Sequence, residues 1–123
     1  MIIRITNAQA MQARFELMGR GESFSNQGFE TLFNYINENF DENYELDVIE
    51  IDSEFTEYSL DGLWNDYNED LLDYADSNGL SLSDLEDIDE KTQITEAYFR
   101  DHTTLLNVEQ GYDQPDTYII AAF

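Results

Sequence analysis

Hydrophobic residues recur at helical spacing in three stretches of the chain. Asn7 can cap a first helix, which is expected to end at Gly19, and Ser25 can cap a second. A third helix is expected from about Ser59 to Asp76, because its apolar residues fall on one side and its acids on the other. The apolar positions of the three helices are Ala8, Met11, Phe15 and Met18; Phe29, Leu32, Phe33, Ile36 and Phe40; and Leu60, Leu63, Trp64, Tyr67, Leu71 and Tyr74.

Four segments have the composition of β-strands. Met1 to Ile5 is a short apolar run, and Glu45 to Asp52 is rich in β-branched residues. The alternation within Glu45 to Asp52 slips by one residue, which indicates a bulge or coverage on both faces. Thr103 to Val108 and Thr117 to Phe123 predict two closing strands joined by a turn.

Shorter helical segments are expected between the third helix and the closing strands. Ser77-Asn78-Gly79 is typical of a helix end, a turn of helix can begin at Ser81 or Ser83, and another short helix is expected from Thr95 to Asp101. This order predicts an α+β fold, with a small mixed or antiparallel sheet of about four strands packed with three or more helices. The length of 123 residues is that of one acidic domain, 1–123.

Charge limits the partners that this chain can approach. The chain has 28 acidic and 5 basic residues, a formal charge of −23, and no Lys or Arg between Arg20 and Lys91. With 41% hydrophobic and 14% aromatic residues, it differs from disordered acidic chains. Nucleic acid and acidic membrane surfaces would be repelled, so the expected partners are positively charged proteins.

Motifs for catalysis or cofactor binding are not recognisable. The absence of Cys excludes disulfides and thiolate sites. Asp76-Ser77-Asn78-Gly79 matches part of a calcium-binding EF-hand loop, but Tyr74 and Leu85 then occupy the first and twelfth positions, which must bind calcium. The single His102 accompanies no nucleophile motif. We therefore expect no enzyme activity, no cofactor and no dedicated metal site.

The location expected from the sequence is cytoplasmic. The first residues show no signal peptide, and no apolar run approaches the ~20 residues of a membrane span. Four tyrosines among polar neighbours are candidates for contacts at a protein interface: Tyr44, Tyr58, Tyr98 and Tyr112.

The spacing of the acids resembles that of phosphates in nucleic acid. Acids three or four residues apart on a helix are ~5 to 6 Å apart, close to the ~7 Å between phosphates of one strand. A globule of this size has a diameter of roughly 35 Å, over which duplex DNA carries about 20 phosphates. The candidate phosphate-mimicking residues are Asp66, Glu69, Asp70, Asp73 and Asp76 on the third helix, and Glu50, Asp52, Glu54 and Glu57 around the predicted strand.

Several segments resemble small acidic proteins encoded by phages, prophages and plasmids. These segments are Phe24 to Tyr35 (FSNQGFETLFNY), Glu45 to Ile49, Phe55 to Tyr58 and Tyr118 to Phe123. The overall character is similar to antirestriction and anti-CRISPR proteins that imitate DNA. The resemblance implies a bacterial host cell and a defence nuclease, or its DNA-binding subunit, as the target. Such inhibitors share an acidic surface rather than a sequence motif, so the resemblance assigns a functional role to no individual residue.

The leading prediction is therefore a non-enzymatic DNA mimic that occupies a basic DNA-binding groove of a defence complex. One alternative is an acidic partner of a basic host protein, such as a nucleoid protein or transcription factor. Another is a salt-adapted domain of other function, although ordinary soluble domains intersperse both signs of charge. A homodimer that imitates longer DNA stays open.

Overall fold

Residues 7–40, 47–111 and 114–123, which a computed structural model describes, form six α-helices and three β-strands. The fold class is α+β, as predicted. A 3₁₀ turn at Asp84–Glu86 precedes the last helix. The helices are α1 (Ala8–Leu17), α2 (Asn26–Asn39), α3 (Val48–Glu54), α4 (Leu60–Asp66), α5 (Asn68–Ser77) and α6 (Ile88–His102), and the strands are β1 (Phe55–Ser59), β2 (Leu105–Val108) and β3 (Thr117–Ala121).

The described strands form one antiparallel sheet in the order β1-β3-β2. Phe55 pairs with Ala121 on one side, and Val108 pairs with Thr117 on the other. The predicted pairing of the two C-terminal strands is confirmed. The sheet has three strands rather than about four, and the strand predicted at Met1 to Ile5 lies outside the described residues.

Helices cover both faces of this sheet. Side chains of β3 alternate between the two faces, which is why Tyr118 to Ala121 are all buried. Ile119 and Ala121 point to the core made with α1, α2 and α3, whereas Tyr118 and Ile120 point to the core made with α4, α5 and α6. The first core includes Met11, Phe15, Phe29, Leu32, Ile51 and Phe55, and the second includes Leu63, Trp64, Leu71, Ala75, Ile94 and Phe99.

The prediction of a strand at Glu45 to Asp52 is wrong for residues 47–52, which are the part of this segment that the structure describes. Val48 begins α3 instead, and the carboxylate of Asp47 accepts a hydrogen bond from the backbone N–H of Glu50 at 3.0 Å. Val48 and Ile51 are buried three residues apart, so the slip in alternation reflects helical spacing. The Asp47 cap and this spacing outweigh the β propensity of the segment.

The third predicted helix is divided in two by Tyr67. Ser59 caps α4 through a 3.0 Å bond from the backbone N–H of Gly62, as expected, but Tyr67 has φ −120° and ψ 26° between α4 and α5. Its ring packs 5.1 Å from that of Phe99. The break thus coincides with a tertiary contact, and a helical wheel includes no tertiary contacts.

The remaining boundaries follow local capping rules. Asn7 caps α1 and Ser25 caps α2 as predicted. The side-chain oxygen of Asn7 accepts a hydrogen bond from the backbone N–H of Ala10 at 2.7 Å, and that of Ser25 accepts one from Gly28 at 2.9 Å. Gly79, with φ +79°, adopts the left-handed conformation that ends α5. The helix predicted at Thr95 to Asp101 is longer than expected, because Asp87 provides a cap at its N-terminus.

Candidate partner-binding surface

The solvent side of α5 carries four acids, Glu69, Asp70, Asp73 and Asp76, here called the α5 acidic face. All four are exposed, while Leu71 and Ala75 are buried on the opposite side. At about 100° per residue, the four acids span about 120° of the helix circumference. Their spacing of three and four residues therefore produces the continuous acidic side that the sequence predicts.

The α5 acidic face has no cationic partner within the described part of the chain. The ion pairs there join Arg20 to Asp52 and, at 3.8 Å, Arg100 to Glu96. Glu69 and Asp70 lie in the first turn of α5, where negative charge is favourable, but Asp76 lies in the last turn, where it is not. The four negative charges remain available to an external cation.

Asp66 belongs to a different helix from the other four acids. It is the last residue of α4 and is exposed. Burial and then a hydrogen bond to Asp66 raise the pKa of Tyr58 to about 12. The break at Tyr67 therefore separates Asp66 from the α5 acidic face and places it beside an aromatic side chain.

The three acids of α3 have different surroundings. Glu50 and Glu54 are exposed and four residues apart on one side of the helix. Asp52 is half-buried and forms an ion pair with Arg20. Glu50 and Glu54 are therefore available to a partner, whereas the charge of Asp52 is compensated within the fold.

Glu57 is held inside the fold rather than displayed. On β1, its carboxylate accepts hydrogen bonds from the backbone N–H of Ser25 at 2.7 Å and from the Ser25 hydroxyl at 2.8 Å. The side chains of Gln110, at 3.0 Å, and Thr117, at 2.5 Å, donate to the same carboxylate. With four donors from its own chain, the Glu57 carboxylate is not displayed to a partner, so its predicted role as a phosphate mimic is not supported.

A second acidic segment was not among the predicted site residues. It comprises Asp84, Glu86, Asp87, Asp89 and Glu90, all exposed in the 3₁₀ turn and the start of α6. Hydrogen bonds from the backbone N–H and hydroxyl of Ser81 lower the pKa of Asp84. The sequence signal for this segment is five acids in seven residues, but it lacks the long amphipathic pattern that marks the α5 acidic face.

The predicted interface tyrosines are only partly available. Tyr58 is half-buried, Tyr98 is 8% exposed, and Tyr44 and Tyr112 lie outside the described residues.

The single histidine, His102, contacts its own helix. Nδ1 of His102 lies 2.8 Å from the backbone oxygen of Tyr98. His102 thus contributes to the packing of α6.

Residues 7–40, 47–111 and 114–123 contain no group of three or more His, Asp or Glu side chains that could hold a metal ion. No helix in these ranges has the length and apolar character to cross a membrane. A cavity of about 540 Å³ between α1 and α2 is lined mainly by amide side chains, including Asn7, Gln12, Asn26 and Asn34.

Comparison with known proteins adds no relative. No protein family, curated protein or solved structure matches this chain. Function is therefore inferred from the charge and geometry of its own residues.

Proposed function

We propose that this protein is a non-enzymatic DNA mimic that inhibits a bacterial defence system, either a restriction enzyme or a CRISPR effector, by occupying its basic DNA-binding groove. The observation that carries the proposal is the α5 acidic face, with four exposed carboxylates on one helix and no cationic partner in the described part of the chain. The α5 acidic face supports a basic groove as the binding site, and the assignment of that groove to a defence complex is the part of the proposal that the displacement experiment tests.

The dimensions of the α5 acidic face suit a groove that binds phosphates. From Glu69 to Asp76 the helix rises about 10 Å, over which duplex DNA carries about six phosphates. Neighbouring carboxylates three or four residues apart have the ~5 to 6 Å spacing of helix neighbours. Lys and Arg side chains placed to contact successive phosphates can therefore reach successive carboxylates.

Two residues of the α5 acidic face, Asp73 and Asp76, lower the stability of the helix that carries them, whereas Glu69 and Asp70 favour its N-terminus. Like charges three or four residues apart cost about 0.2 to 0.5 kcal/mol per pair, and an acid in the last turn opposes the helix dipole. Asp73 forms such pairs with Glu69, Asp70 and Asp76. Helix stability therefore does not favour acids at Asp73 and Asp76, and a role in binding a cationic surface would give a reason for them.

Further exposed acids enlarge the negative field around α5. No ion pair with Lys or Arg in the described structure involves Glu50 or Glu54 of α3. The same holds for the five acids of the segment from Asp84 to Glu90. A net charge of −23 accelerates encounter with a basic groove and makes the complex sensitive to salt.

The test is displacement of fluorescent duplex DNA from purified restriction and CRISPR effector complexes, with a nucleoid protein in parallel. We expect the wild-type protein to displace DNA from a defence complex, and the variant Glu69→Lys/Asp73→Lys/Asp76→Lys to lose this activity. The matched control is Glu22→Lys/Glu30→Lys/Glu38→Lys, three exposed acids elsewhere. Each triple variant changes the charge by 3 × 2, from −23 to −17.

The outcomes separate the alternatives. If both triple variants lost DNA displacement equally, the net charge of the protein, and not the α5 acidic face, would be responsible for displacement. Displacement from the nucleoid protein alone would favour the role of partner of a basic host protein. No displacement from any complex would overturn the proposal.

A further inference from the structure

Aromatic rings meet at the surface where the start of α5, the end of α6 and the residues after β3 come together. Phe123 is 58% exposed, although it is a large apolar residue. Its ring stacks on that of Tyr67, with centroids 5.9 Å apart and an angle of 17° between the ring planes. Phe99 supports both rings from below, at 5.1 Å from Tyr67 and 6.1 Å from Phe123.

His102 extends this surface on the other side of Phe123. Its ring centroid lies 6.2 Å from that of Phe123 and 4.4 Å from that of Tyr98. We call Tyr67, His102 and Phe123 the aromatic platform. Because buried rings hold it from below, the platform is a preformed surface rather than a single exposed side chain.

Two exposed acids are next in sequence to residues of the aromatic platform. Asp66 directly precedes Tyr67, and Asp101 directly precedes His102; both are exposed. The Asp101 carboxylate accepts a 3.0 Å hydrogen bond from the hydroxyl of Tyr74. Arg100 is the neighbouring cation, and its guanidinium lies 3.8 Å from Glu96.

We propose that the aromatic platform binds an arginine side chain of the target protein, with the guanidinium stacked on Phe123 and its charge compensated by Asp66 or Asp101. This inference rests on the proposed function, since it assigns a second contact to the same basic partner. Arginine fits better than lysine because its guanidinium is planar, weakly hydrated and able to stack on a ring while it bonds a carboxylate. A second copy of this chain fits poorly, because two surfaces of a −23 protein repel each other.

The experiment compares two peptides of equal length and charge, one alternating Arg with Gly and the other Lys with Gly, by calorimetric titration into the full chain. We expect the arginine peptide to bind about two- to five-fold more tightly. The variant Phe123→Leu keeps an apolar side chain but removes the ring, and it should reduce this preference, leaving only the part that exposed carboxylates provide. Leu17→Ala, at a residue that is 76% exposed on α1, is the matched control and should leave the preference unchanged.

A second measurement does not depend on a variant. In titrations followed by NMR, the arginine peptide should shift the ring resonances of Phe123 and Tyr67 more than the lysine peptide does. Equal affinity for the two peptides, or a preference that is undiminished in Phe123→Leu, would overturn the inference. The proposed function would survive that result if the α5 charge reversals still abolished DNA displacement, so the two failures are distinguishable.

Discussion

Glu57 lies so close to Gly28 that a Cβ at Gly28 would be 2.2 Å from its Oε1 atom. Glu57 is on β1 and Gly28 is in the first turn of α2, so this contact joins the sheet to a helix that is distant in sequence. The same carboxylate accepts hydrogen bonds from Ser25, which also caps α2. The missing side chain at Gly28 therefore makes room for the carboxylate at the helix N-terminus.

We expect Gly28→Ala to destabilise the protein by about 1 to 3 kcal/mol, because Glu57 must move away from its donors. In a Glu57→Ala background the same change should be neutral or stabilising by up to about 1 kcal/mol, since alanine is then only a better helix former. Urea denaturation of the double-mutant cycle measures this difference. Equal effects in the two backgrounds would contradict the proposed role of the contact.

A buried hydrogen bond gives a second prediction about stability. Trp64 donates from Nε1 to the hydroxyl of Thr95 at 2.8 Å, and that hydroxyl donates to the backbone oxygen of Lys91 at 2.6 Å. Thr95→Val would leave the indole N–H without an acceptor, so we expect a loss of about 1 to 3 kcal/mol in the free energy of unfolding. Thr95→Ser is the control, because it keeps the hydroxyl. Its free energy of unfolding, measured by chemical denaturation, should fall less than that of Thr95→Val.

Local signals explain which parts of this fold the sequence predicts. Asn7, Ser25 and Gly79 act on backbone groups within a few residues, so the helix ends they set are recognisable. At the break between α4 and α5, Tyr67 contacts Phe99, which is 32 residues further along the chain and outside the reach of local sequence signals. Likewise, Glu57 has the same residue type as the exposed acids, and only its contacts with Ser25, Gln110 and Thr117 distinguish it. The α5 acidic face was predictable because it lies within one helix.

Tyr58 provides a prediction about pH dependence. Its pKa is raised to about 12, from 10.0, first by burial and then by Asp66. The neutral hydroxyl is thus favoured in the folded state, so its contribution to stability is complete below pH 10 and is lost as the pH rises toward 12. Asp66→Asn should lower the pKa while leaving it above 10.0. NMR titration of labelled tyrosine would measure both values, and an unchanged pKa in Asp66→Asn would contradict the assigned contact.

The α5 acidic face predicts opposite effects on stability and on binding. Asp76→Lys removes a negative charge from the last turn of α5 and replaces it with a charge that the helix dipole favours, so we expect a gain of about 0.3 to 1 kcal/mol at low ionic strength. Asp73→Lys also replaces three like-charge neighbour pairs by attractive ones, and should act in the same direction. Added salt should reduce both gains, because it screens exposed charges.

Chemical denaturation at two salt concentrations measures this gain, and displacement of duplex DNA from the same target measures the loss of binding. Reversal of a residue retained only for solubility should leave displacement unchanged, whatever its effect on stability, whereas reversal of a binding residue should raise stability and abolish displacement. Glu38→Lys is a suitable control, because Glu38 is exposed near the end of α2, where the dipole argument also predicts a gain in stability, but it lies outside the α5 acidic face. If Glu38→Lys reduced displacement as much as Asp76→Lys, the binding function would not depend on α5.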